Sequence, residues 1–176
     1  MRHAACWLMV ACFILVPSDA LAYPEGPPWG AANPEHPDHC ASCHWERAPR
    51  FASTQSEIRG LPDIIKPGGR YKLRLVFSDP AAEIAGFQSI MEGDGEPSGS
   101  LITNDPTTEV ATFGTQLRTI APKSLLAGRV VWDFQWQAPA KLASDVRIYI
   151  AVSAANDDGS PFGDAVHYNT VKIAAP

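Results

Sequence analysis

The residues best suited to chemistry lie in one short stretch, Cys40-Ala41-Ser42-Cys43-His44. Two thiols three positions apart can both bond to the vinyl carbons at one edge of a porphyrin, and a histidine directly after the second thiol then lies beneath the iron. The C-x-x-C-H pattern therefore predicts one covalent haem c, with thioether links at Cys40 and Cys43 and with His44 as the proximal iron ligand. The other ring nitrogen of His44 should donate to a carbonyl or a water, and the sequence does not identify that acceptor.

Two other interpretations of the cysteine pair stay open. In an exported protein it could form a local disulfide or a thioredoxin-like redox pair, although no strand–helix–strand pattern surrounds it. A zinc ion could take the two cysteines and His44 together with His36 or His39, although the usual second pair of ligands is missing further along the chain. The specificity of the five-residue motif favours the haem.

The motif does not determine the sixth ligand of such an iron, for which the sequence offers His36, Met91 and His167. His36 precedes His44 by eight residues, and an extended chain of that length reaches at most ~29 Å, enough to wrap round the ring. Met91 lies in an apolar alternating segment and His167 in a predicted strand, where structural roles are the ordinary explanation. An open or water-filled sixth position is equally compatible.

The N-terminus has the pattern of a secretory signal peptide over residues 1–22. Basic residues precede an apolar run at 6–16, and the small-residue site Ala20-Leu21-Ala22 lies directly before Tyr23. The run has eleven residues, well below the ~20 that a membrane-spanning helix needs. We therefore expect a periplasmic or extracellular protein with no transmembrane span, in which the two motif cysteines are the only ones left.

Composition narrows the fold and the partners. The chain is 45% hydrophobic with 16 Pro and 13 Gly, which indicates a globular domain of short strands separated by turns. The formal charge of −5 comes without any run of basic residues, and this excludes the concentrated basic face that nucleic acid requires. Partners should be exported redox proteins of neutral or basic character; the sequence says nothing about oligomeric state.

Proline and strand patterns divide the mature chain into two parts. Residues 23–59 form a Pro-rich, irregular arm that holds the haem motif, and residues 60–176 form a β-sandwich. Within 131–136 both tryptophans and Phe134 share one face, which should be core. The segment 156–159 suits a turn better than a calcium loop. Strands are predicted at 70–77, 86–91, 99–103, 110–120, 129–137, 146–154 and 165–173, typical of an all-β, immunoglobulin-like antiparallel sandwich.

The segment from about Gly60 to Val171 resembles the Reelin-domain (Reeler) family, including bacterial exported members described as choice-of-anchor V proteins. The resemblance implies an immunoglobulin-type sandwich, and in some members a C-x-x-C-H precedes the domain. The matching segments are Lys66-Pro67-Gly68-Gly69-Arg70-Tyr71, Ala85-Gly86-Phe87-Gln88, Trp132-Asp133-Phe134-Gln135-Trp136-Gln137-Ala138-Pro139, Ala154-Ala155-Asn156-Asp157-Asp158-Gly159 and Gly163-Asp164.

Together these features predict an exported monohaem c-type cytochrome that transfers electrons and is not an enzyme. The alternative is a β-sandwich binding or adhesion module whose haem is structural or senses a small gas. A subunit of a larger haem enzyme is a third, weaker option.

Overall fold

The computed structural model of the protein describes residues 26–160 and 162–176. The predicted signal peptide, residues 1–22, lies outside them. Within the described residues the chain forms one short helix and twelve strands: α1 (Cys40–Cys43), β1 (Arg50–Phe51), β2 (Ser56–Arg59), β3 (Arg70–Ser78), β4 (Ile84–Gly93), β5 (Glu96–Pro97), β6 (Ser100–Ile102), β7 (Thr108–Val110), β8 (Gln116–Thr119), β9 (Lys123–Ser124), β10 (Arg129–Gln137), β11 (Val146–Ala155) and β12 (Ala165–Ile173).

The strands form a two-layer sandwich. The large sheet has the order β1-β12-β11-β4-β8-β7, with β5 and β9 also paired to β4, and the small sheet has the order β2-β3-β10-β6. The pairings of these strands are antiparallel except for the parallel pairing of β1 with β12. The prediction of an all-β, immunoglobulin-like antiparallel sandwich is confirmed.

The core lies between the two sheets and follows the alternation of the strands. In β10, Trp132, Phe134 and Trp136 are buried while Asp133 faces solvent, because successive side chains of a strand point to opposite faces. This confirms the predicted tryptophan face. The indole N–H of Trp136 donates to the carbonyl of Ser98 at 3.1 Å, so that the ring is buried with its polar atom satisfied.

Six of the seven predicted strands match single observed strands, and one does not. The segment 110–120 was predicted as one strand, whereas the chain turns back between β7 and β8 at Ala111–Gly114. The N–H of Gly114 donates to the carbonyl of Ala111 at 2.8 Å, and Gly114 has a φ of 82°, which glycine adopts without steric cost. The segment 156–159 lies between β11 and β12, where a turn was predicted.

The arm is more ordered than its composition suggested. Its last part forms β1 and β2, which pair with β12 and β3. Its first part packs on the outer face of the large sheet, where Ala32, Ala41, Ile90 and Tyr168 belong to a second buried apolar cluster. The large sheet therefore packs against the small sheet on one face and is partly covered by the arm on the other. In the part of the chain that the structure describes, no helix is long and apolar enough to cross a bilayer.

Candidate functional site

Buried amide groups fasten the start of the arm to the large sheet. Gln88 of β4 is fully buried, and its Oε1 accepts the backbone N–H of Ala32 at 2.8 Å. Its Nε2 donates to the carbonyl of Pro28 at 2.9 Å. On the neighbouring strand β8, Gln116 accepts the N–H of Gly30 at 2.7 Å. Because each partner is a backbone group, these contacts determine the path of the arm across the sheet.

Tyr168 of β12 fastens the motif itself. Its hydroxyl oxygen accepts the N–H of Ala41 at 3.0 Å and lies 3.1 Å from Nδ1 of His39. Phe51 stacks on the other side of the tyrosine ring, with centroids 5.5 Å apart. Burial raises the pKa of Tyr168 above its usual value, so the phenol stays protonated and its proton is available for His39.

The motif forms the single turn of α1 and ends at His44. The N–H of His44 donates to the carbonyl of Cys40 at 3.1 Å. In this turn Cys40 is half-buried while Cys43 is exposed. The two thiols are therefore presented at the edge of the apolar surface that the arm leaves uncovered.

His44 is held by a carboxylate far away in sequence. Its Nδ1 lies 2.7 Å from Oδ2 of Asp164, which directly precedes β12 and is 120 positions distant. The carboxylate is almost fully buried, while the imidazole is partly exposed. A carboxylate only accepts hydrogen bonds, so Nδ1 is the donor in this contact, and in the neutral imidazole Nε2 is the nitrogen with the lone pair. The expected carbonyl or water is therefore wrong: the acceptor is a carboxylate, which the fold brings to His44 from a distant part of the chain.

The loop that carries Asp164 also contacts the residues just after the motif. The N–H of Gly163 donates to the carboxylate of Glu46. Trp45 and Phe162 pack edge to face with ring centroids 5.8 Å apart. Residues 162–164, directly before β12, therefore act as a second support for His44, in addition to the sheet itself.

Beside the motif lies a cavity of about 680 Å³, which we call the outer groove. It extends from the motif, on the β12 side, across β11 and β4 to the segment after β8. Its lining is predominantly apolar and includes Cys40, Cys43, His44, Ile84, Gly86, Ala151, residues 120–122, residues 157–160 and Asp164.

The outer groove fits a tethered porphyrin. Its volume lies within the ~300–1,000 Å³ typical of cofactor sites, and such sites are mostly apolar with a few placed polar groups. Both thiols and His44 line it. Oδ1 of Asp164 is buried without a hydrogen-bond partner in the described structure, and a buried carboxylate of this kind calls for a positive partner nearby. The iron–porphyrin core of a ferric haem would supply one.

The structure separates two of the three distal candidates from the motif. Met91 is buried in the core between the sheets. His167 is also buried, with Nδ1 2.8 Å from Oγ of Ser53 and its ring against Phe77. In β4 and β12 these odd-numbered positions face the small sheet, whereas Gln88 and Tyr168 face the arm. The thickness of the large sheet therefore lies between both candidates and the outer groove.

His36, the third candidate, is used within the arm. Its Nδ1 accepts the N–H of Asp38 at 3.2 Å. Its ring lies so close to Gly30 that a β-carbon there would be 3.1 Å from Nε2. It does not line the outer groove. The structure thus brings Cys40, Cys43 and His44 together and adds Asp164, Tyr168 and Gln88, which sequence analysis missed because their partners lie far away along the chain.

The properties of the thiols bear on the redox-pair interpretation. Burial, with a smaller contribution from the neighbouring Cys43, raises the pKa of Cys40 to about 12. Both cysteines are free. A thiol–disulfide oxidoreductase needs a thiol of lowered pKa, so this environment does not favour that chemistry. Among residues 26–160 and 162–176, no three His, Cys, Asp or Glu side chains are grouped to hold a metal ion, as a protein-ligated zinc would require.

Comparison with known proteins supports the fold. The chain is similar to the Reelin-N domain of F-spondin, with a TM-score of 0.56 and 18% identity over 77% of this chain and 96% of that one. It is also similar to the human F-spondin reeler domain, with a TM-score of 0.53 and 20% identity over 74% and 96% of the two chains. No protein-family model matches, and no curated protein matches. The chain has a Reelin-domain-like fold.

Proposed function

We propose that the protein is an exported monohaem c-type cytochrome that transfers electrons through a haem bound in the outer groove. Cys40 and Cys43 would hold the haem covalently, and Nε2 of His44 would bind its iron. The observation that carries the proposal is that both thiols and the imidazole line one apolar groove. When bound, the haem supplies a one-electron ferric/ferrous couple.

The protein's own residues have separate roles in this proposal. Gln88 and Tyr168 hold the arm, and therefore the two thiols, against the large sheet. Asp164 orients His44. The exposure of Cys43 leaves the motif at the molecular surface, where a redox partner can approach it.

The test is to produce the full chain in a host with haem-maturation machinery and to extract the purified, denatured protein with acid and organic solvent. Haem should stay with the polypeptide. In the matched control, the double variant Cys40→Ala, Cys43→Ala, the same extraction should remove any haem. A wild-type protein that carries no covalent haem would contradict the proposal.

A second function, binding of a small gas at an open iron position, is favoured by one observation. Among the described residues that line the outer groove, the only imidazole besides His44 is His39, and no methionine is present; His39 is already bonded to Tyr168. The holoprotein distinguishes the two functions. Six-coordinate, low-spin iron that does not bind carbon monoxide supports electron transfer, whereas rapid binding of carbon monoxide supports the second function.

A further inference from the structure

The contact between His44 and Asp164 would change how strongly His44 donates electrons to the iron of the haem. An inference about this effect rests on the proposed function. We propose that Asp164 is a positioning residue that gives His44 anionic character and thereby stabilises the ferric over the ferrous iron. Its carboxylate would lower the reduction potential of the protein.

The short distance between His44 and Asp164 favours electron donation by the imidazole. The distance of 2.7 Å between Nδ1 and Oδ2 is that of a strong, charge-assisted hydrogen bond. An imidazole that donates to a carboxylate becomes a stronger electron donor at its other nitrogen than one that donates to a carbonyl or water. A stronger donor stabilises the more positive state of the metal.

The burial of the Asp164 side chain strengthens the effect of its charge. The side chain of Asp164 is 3% exposed, and its Oδ1 has no hydrogen-bond partner in the described structure. Solvent therefore screens the charge of Asp164 poorly, and its attraction for a nearby positive centre is much larger than that of a surface carboxylate. The iron–porphyrin core carries a net positive charge only in the ferric state, so a buried carboxylate near it would favour that state.

The surroundings hold the pair in place. The N–H of Gly163, next to Asp164, is bonded to Glu46, and Phe162 packs on Trp45. Both contacts join the Asp164 loop to the two residues that directly follow His44. The donor–acceptor distance is thus set by structure on both sides, as a tuned ligand requires.

The test is the reduction potential of the holoprotein with the substitution Asp164→Asn. Asparagine keeps an oxygen that can accept from Nδ1 but removes the charge, so His44 stays oriented. We expect the potential to rise by at least about 59 mV, a tenfold change in the ferric/ferrous equilibrium of a one-electron couple. Haem content after extraction should stay unchanged.

Asp157→Asn is the matched control. Asp157 lines the same groove but is exposed, and its φ of 56° is one that asparagine tolerates well. Because solvent screens its charge, this variant should shift the potential far less. Equal shifts in the two variants would overturn the inference.

A second variant keeps the inference testable if Asp164→Asn does not fold. Asp164→Glu preserves the charge and should retain a potential close to that of the unmodified protein. A potential as high as that expected for the asparagine variant would show that the charge is not the cause. Absence of covalent haem from the unmodified protein is a different result, because it contradicts the proposed function itself.

Discussion

At the scale of single residues, hydrogen-bond partners distinguish the two histidines that the sequence placed in similar roles. His44 is partly exposed and its Nδ1 donates to a carboxylate, which leaves Nε2 as the nitrogen that would bind the proposed iron. His167 is fully enclosed against Phe77 and Ser53. Both were candidate iron ligands, but only His44 lines the outer groove. Local sequence cannot reveal this difference, since it depends on which side of β12 each side chain meets.

The buried histidine predicts how stability depends on pH. Burial, followed by the charge of Arg50, lowers the pKa of His167 to about 4, although Asp79 opposes the shift. The unfolded chain, with a pKa near 6.5, binds this proton first, so the unfolding free energy should fall as pH decreases from about 6.5 to 4, by on the order of 3 kcal/mol. Urea unfolding at several pH values measures this slope.

The control for this prediction is the variant His167→Gln, in which no group titrates at that position. Its unfolding free energy should fall less over the same pH interval, because the contribution of this buried imidazole is absent. If the two proteins lose stability in parallel, the acid sensitivity does not come from His167.

At the scale of elements, the site depends on an arm with little regular structure of its own. Its only helix in the described part of the chain is the single turn α1. Its position comes from side chains of β4, β8 and β12 that bind its backbone. Proline removes backbone donors and disfavours regular pairing, so a segment of this composition needs such external partners. The sequence predicted that the arm has little regular structure, but it did not predict that side chains of the large sheet hold the arm in place.

Gln88 provides a test of this attachment. The substitution Gln88→Met keeps the side-chain length but leaves the N–H of Ala32 and the carbonyl of Pro28 without partners. Unsatisfied buried groups cost about 1–3 kcal/mol each, so we expect a loss of about 2–6 kcal/mol in unfolding free energy, measured by urea denaturation, and a lower yield of attached haem.

The matched control is Gln137→Met on β10, where the amide contacts the exposed Arg70. This variant should lose no more than about 0.5 kcal/mol, as surface substitutions usually do. Similar losses in the two variants would mean that Gln88 does not anchor the arm.

At the scale of the whole molecule, the two faces of the large sheet have different roles. Its inner face builds the core with the small sheet, and its outer face carries the arm and the groove. The fold resembles the Reelin-N and reeler domains of F-spondin, and a fold alone does not give function, which belongs to sites placed on it. Export, not the sandwich, would provide the compartment in which such a haem is attached.

Export predicts a defined mature N-terminus. When the full chain is produced in a host with a secretory pathway, the mass of the purified protein should correspond to a chain that begins at Tyr23. The variant Ala22→Phe puts a large residue at the cleavage site, where small residues are required, and should accumulate uncleaved. A wild-type protein that keeps residues 1–22 would contradict the predicted signal peptide.

Sequence alone predicted six of the observed strands and singled out the C-x-x-C-H motif, because both depend on local patterns: alternation with a period of two, turn residues, and five consecutive positions. That the motif holds a haem stays a prediction. Sequence alone was not sufficient for the acceptor of His44, for the attachment of the arm, or for the separation of Met91 and His167 from the motif. Each of these depends on contacts between distant segments. Only the tertiary structure decides which face of the large sheet a side chain occupies, and therefore that Asp164 lies beside His44.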